Sequence, residues 1–160
     1  MDERLRDLDD AELFESLDWN RHVVVRKVDG LTLAQATQLR TPTGVTLLSI
    51  VKHLAWVERR WFEQHLLGAP DEGVDATTSF GLDGVGSVEE VVAEYEQSCA
   101  RSREIVAAAA SLDVTTREPH WAFGFVTLRW ILLHMIRETA RHAGHMDILR
   151  ELTDGQAGDF

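Results

Sequence analysis

Apolar residues recur at three- and four-residue spacing in four separate stretches of this chain, and alternation at spacing two is almost absent. That periodicity suits helices with one buried stripe each and gives no basis for a sheet with one buried face. The first stretch, about Asp10 to Val28, repeats Leu13, Leu17, Val24 and Val28, with Phe14 and Val25 beside them. Asp9 or Asp10 can cap its start, and Asp29-Gly30 stops it. A connector over 31–44 follows, broken by Pro42 and Gly44. The second stretch is expected to open on a Thr46 cap and to end near Gly68, with Leu47, Ile50, Leu54, Val57 and Trp61 as its stripe. The third opens at Ser87, which with Glu90 spells a capping box, and its inner face includes Val88, Tyr95, Cys99 and Ala109. The fourth runs from about Thr127 to Thr153, with Gly155 as its stop. Four such helices predict an all-α four-helix bundle, in one domain over residues 1–160. Two long loops, 69–86 and 111–126, join them, and loops of that length in a compact domain are often functional.

Charge and composition narrow the function classes. A formal charge of −11 repels phosphate backbones, and no Lys/Arg cluster offsets it, so nucleic acid is not an expected partner. No apolar run approaches the roughly 18 residues of a membrane span. The N-terminus, MDERLRDLDD, is acidic and lacks the apolar core of a signal peptide, so a cytoplasmic location is expected. The single cysteine, Cys99, cannot form an internal disulfide or a cysteine-based zinc knuckle and reads as a small core residue. HExxH, Gly-rich phosphate loops and G-x-S-x-G are all absent.

The chemistry-bearing pattern lies in HMIRETARHAGH, residues 134–145. His134, Glu138, His142 and His145 follow one another at helical spacing. On a helical wheel Leu128, Ile131, Leu132, Met135, Met146 and Leu149 define the inward stripe, and Glu138 and His142 fall within it or at its edge. His134 and His145 lie at the border, while Arg137, Arg141 and Arg150 lie mostly outside. A carboxylate turned inward needs a partner. Glu138 and His142, on neighbouring turns, are a suitable pair of ligands for a divalent metal. The second helix offers a third ligand, His53, which shares a ridge with Ile50, Val57 and Trp61, whereas Lys52, Glu58 and Arg59 fall outside it. Bundle metal sites are assembled in this way from facing helices.

Bland readings stand beside the metal site. A lone histidine on an apolar border is more often a satisfied core residue than a ligand, and a Glu–His pair at spacing four is a common surface contact. With both present on inward faces, a metal site and a merely structural ridge are about equally good readings of the residues. His134 and His145 read as boundary residues, and His22, His65 and His120 as surface or loop residues. The tryptophans read mostly as packing, with Trp61 or Trp121 as candidates for a pocket wall.

The stretches TPTGVTLLSIVKHLAWVERRWF and LRWILLHMIRETARHAGHMDILRELTDG resemble the DinB-like superfamily, and within it the mini-circle protein branch near the mycothiol-dependent enzymes. LDWNRHVVVRKVDGLT, residues 17–32, fits the same branch. The resemblance implies a bundle of up-down-down-up connectivity, often a homodimer. It also implies a divalent metal held by one histidine of the second helix and two residues four apart on the fourth. In the metal-binding domain of the mycothiol-dependent maleylpyruvate isomerase type, the first of those two is a glutamate. By that resemblance His53, Glu138 and His142 are the metal ligands, with zinc the best-suited metal and nickel or iron as alternatives. The function implied is a metal-dependent thiol S-transferase that activates a low-molecular-weight thiol such as mycothiol for attack on a small electrophile. A metal-dependent hydrolase and a non-catalytic metal-binding stress protein are the alternatives.

Overall fold

The periodic stretches become helices whose ends are set by the capping residues at hand. The computed structural model describes residues 9–158; residues 1–8, most of the acidic N-terminal stretch, and 159–160 lie outside it. Helix α1 spans Asp10–Arg26, two residues short of Val28. The Asp9 carboxylate accepts the Glu12 N–H at 2.9 Å, and Glu12 accepts the Asp9 N–H at 3.0 Å, a reciprocal cap. A short α2, Leu33–Ala36, lies in the connector. Helix α3, Leu47–Arg59, opens on the expected Thr46 cap. It then widens into a π-helical segment, Arg60–Leu66, before Gly68 turns the chain at φ +75°. Helix α4 spans Val88–Ala108. Its cap is one-sided: Ser87 accepts the Glu90 N–H at 3.1 Å, but the Glu90 carboxylate reaches past it to the Gly86 N–H at 3.0 Å. Helix α5, Leu128–Asp154, starts on a Thr127 cap and ends at left-handed Gly155. Among the described residues there is no strand. Two isolated bridges, Thr115–Thr127 and His120–Gly124, pinch the second long loop into a hairpin.

Cross-helix contacts give the connectivity. Asp10 pairs with Arg129, Asn20 donates to the Ile136 carbonyl, and Lys27 pairs with Asp147. The numbers rise together, so α1 and α5 run parallel. Lys52 pairs with Glu94, and Arg59 donates to Ser98, so α3 and α4 are parallel as well. His53 meets His142 while Trp61 meets Trp130, so α3 runs against α5. The order is up-down-down-up.

The apolar core falls into two clusters. One gathers Val24, Ile50, Leu54, Tyr95, Met146 and Leu149; the other gathers Leu17, Val57, Phe62, Ile105, Ile131 and Met135. Polar residues occupy the seam between them. On α1, Arg21 lies between Leu17 and Val24; on α5, Glu138, Thr139 and His142 lie between Met135 and Met146. The Arg21 guanidinium grips the Glu58 carboxylate with two hydrogen bonds, 2.8 and 2.7 Å, and Glu58 is fully buried. Ion pairs so enclosed are satisfied as a unit and costly to break singly.

Candidate metal centre

Antiparallel α3 and α5 bring His53 opposite Glu138 and His142. One ligand atom from each of the three lies within 4.8 Å of the others. The Glu138 Oε1 atom is 3.1 Å from His142 Nε2 and 3.9 Å from His53 Nε2. His53 is buried, while Glu138 and His142 are partly exposed. The imidazoles of His142 and His53 hold the Glu138 carboxyl far below the ordinary carboxylate range, outweighing the upward push of burial. Burial in turn pushes the His53 imidazole below its ordinary value, toward the neutral form that a metal ligand requires.

The long loop 69–86 fixes the His53 ring. Ser79 Oγ is 2.8 Å from the Ala76 carbonyl and 2.7 Å from His53 Nδ1. A carbonyl only accepts, so the hydroxyl hydrogen goes to Ala76 and Ser79 Oγ accepts the His53 Nδ1–H. The lone pair of neutral His53 is thereby left on Nε2, the atom facing Glu138. Phe80 stacks on the same ring, with centroids 4.0 Å apart and planes 7° apart. Ser79 is placed by a 3-10 turn, Thr78–Phe80, whose entry is held by the Asp75 carboxylate accepting the Thr77 and Thr78 N–H groups. Sequence inspection gave no role to Ser79 or Phe80; the Asp75-to-Thr78 turn signal was the available pointer.

Two imidazole nitrogens and one carboxylate oxygen form a donor set that fits a divalent cation, and the His53 tautomer suits it. Among the described residues buried His142 Nδ1 has no partner, so in this arrangement the ring proton sits on Nε2 and is donated to Glu138. A cation held at Nε2 would shift the ring proton to Nδ1. A cavity of about 570 Å³ adjoins the cluster, and His53 and Glu138 line it. Both long loops contribute to it, through residues 73–76 and the His120–Phe123 hairpin, and both candidates for a pocket wall, Trp61 and Trp121, line it.

Several residues have surroundings that the sequence reading did not give them. His65, expected at the surface, is buried, because π-helical winding beyond Arg59 changes the register that a 3.6-residue period extrapolates. His120, read as an ordinary loop residue, and His134, read as a boundary residue, both line the cavity. Glu58 lies off the ridge that faces α5, but it is buried against α1 through Arg21. Arg150 is also buried, donating to the Lys27 and Asp29 carbonyls just past the end of α1.

An up-down-down-up helical bundle with His/Glu/His gathered from two facing helices defines a DinB-like protein. More particularly, the chain belongs to the mycothiol S-transferase family, whose model matches residues 12–155. No curated protein matches it significantly. Among solved structures, it is similar to a crystal structure described as the conserved protein of a locus from Enterococcus faecalis. The likeness has a TM-score of 0.67 and 18% identity and covers 90% of this chain and 96% of that one. At that identity it speaks to the fold.

Proposed function

We propose that this protein is a metal-dependent S-transferase in which His53, Glu138 and His142 hold one divalent ion, zinc by preference, and mycothiol is the thiol. The observation that carries the reading is the convergence of three ligand atoms beside an open cavity, in a chain of the mycothiol S-transferase family. Three protein donors leave room at a tetrahedral ion for an outside ligand. A bound divalent ion supplies the positive charge that keeps a coordinating thiol deprotonated at neutral pH. Glu138 offsets one of its two charges and the neutral imidazoles offset none, so the donor set leaves a net charge suited to an anionic sulfur. Ser79 holds the His53 ring, and the cavity holds the electrophile within reach. The protein's own Cys99 is not the nucleophile: burial and nearby Glu58 push its thiol far above the ordinary range, and it is buried beside Glu58 and Arg21, away from the cavity walls. A cytoplasmic location and a homodimer belong to the same reading.

The test is a conjugation assay with mycothiol, with and without chelator, on protein whose metal content is measured. About one ion per chain is expected, with turnover that needs both metal and thiol. His142→Ala is expected to lose the metal, and Glu138→Gln to lose most turnover while staying folded. Equal rates for the untreated, chelated and Glu138→Gln proteins would overturn the reading; metal-dependent turnover without thiol would favour a hydrolase. Light scattering on the same sample reports whether it is a dimer.

A further inference from the structure

The wall of the cavity is made of rings. Trp61 on the π-helical segment stacks on His120 of the hairpin, with centroids 5.0 Å apart and planes 21° apart, and His120 stacks on Phe123 at 4.8 Å and 19°. His134 on α5 touches Trp61 at 4.8 Å. His134 is one helical turn from Glu138, about 6 Å along the axis, so this wall begins beside the donor cluster. Burial pushes both His120 and His134 below the ordinary histidine value, which favours their neutral rings. At the hairpin tip Trp121 is 91% exposed and Phe123 51% exposed, although both line the cavity. Large rings so exposed at a concave site offer π faces that a ligand can cover.

The charged groups bordering the cavity are already engaged. Arg60 donates to Asp71 and to Gln64, each at 2.7 Å, and its guanidinium lies 6.0 Å from the centre of the Trp56 ring. The Asp75 carboxylate accepts two backbone N–H groups and the Thr78 hydroxyl. Among the described residues that line the cavity, the arginine, Arg60, is held by Asp71 and Gln64, which leaves shape and π contact as the selecting features.

We propose that the hairpin tip and Trp61 form the electrophile subsite, and that it takes neutral, flat electrophiles whose reactive carbon is conjugated to an aromatic ring. This deepens the transferase reading and rests on it for the chemistry, though not for the binding. With an aryl enone the sulfur of the thiolate bonds to the β-carbon as the carbon–carbon π bond breaks. The electron pair moves to the α-carbon and carbonyl, and the α-carbon then takes up one proton, equal to the one the thiol gave up. No oxidant is needed and no group leaves.

The experiment uses the full zinc-loaded chain with mycothiol and two enones, benzylideneacetone and its methyl counterpart ethylideneacetone, each rate divided by the uncatalysed one. The expected preference for the aryl enone in kcat/KM is about tenfold or more, falling about tenfold in the Trp121→Ala/Phe123→Ala protein. Benzylacetone, which has no reactive double bond, provides a readout independent of turnover: it should quench tryptophan fluorescence saturably, and Phe123→Ala, which keeps every tryptophan, should lose that quenching. Thiol-dependent turnover with no aryl preference and no saturable quenching would overturn the subsite while leaving the transferase standing. Saturable quenching lost in Phe123→Ala, with no thiol-dependent turnover of either enone, would uphold the aromatic subsite and overturn the transferase.

Discussion

Ser79 shows how much rests on one hydroxyl. By accepting from His53 Nδ1 at 2.7 Å it selects the tautomer that presents Nε2 to Glu138 and His142. Loss of such a partner frees the ring to rotate and to carry its proton on the wrong nitrogen. Ser79→Ala should therefore weaken zinc binding by roughly 10- to 100-fold. Ser79→Thr, which keeps the hydroxyl, should recover most of that loss. Competition titration with a zinc indicator measures it, and an affinity unchanged in Ser79→Ala would show that Phe80 stacking alone holds the ring. Glu138 carries the opposite kind of information: the role proposed for it lies in charge rather than shape.

At the scale of elements, histidines are concentrated where helices meet. Burial lowers the imidazole values of His53 on α3, His65 on the π-helical segment and His134 on α5 from the ordinary 6.5. The unfolded chain then binds more protons than the folded one as pH drops below about 6.5, so folding loses free energy in that window. Glu138 adds to the trend lower down: its depressed value contributes stability that is full above the ordinary 4.5 and is lost as pH falls further. Metal-free protein is thus expected to melt at a falling temperature from pH 7 toward pH 5, followed by circular dichroism with chelator present. A melting point that stays level or rises would contradict these buried imidazoles. The caps and periodic stripes made α1, α3, α4 and α5 readable from sequence, because Asp9, Thr46 and Thr127 act locally. His53, Glu138 and His142 were readable as a group because two regular helices carry them. His65 was not, since nothing in RWFEQHL announces a π-turn, and Ser79 was not, since its role depends on a loop folding back over α3.

For the whole molecule, the polar seam between the two apolar clusters is spanned by the Arg21–Glu58 ion pair. Both side chains are almost wholly enclosed, and their carboxylate–guanidinium contact is 2.7 Å. Arg21→Ala should lower stability by about 3–5 kcal/mol, because it strands a charge. Replacing both partners, as Arg21→Met with Glu58→Leu, should cost far less, because the stranded charge goes with its partner. Urea unfolding measures both, and a double variant no more stable than Arg21→Ala would remove the ion pair as the cause. The donor triad lies across the same seam on regular helices, while the ringed wall hangs largely from a hairpin closed by two backbone bonds between His120 and Gly124. Substitution at Trp121 or Phe123 changes no residue of the helices that carry His53, Glu138 and His142, although Phe123 packs on Trp130 and His134 of α5. On the proposed function, a lineage built on this plan can exchange the compound it consumes by drift in a few hairpin codons while its ancestral reactivity passes down unaltered.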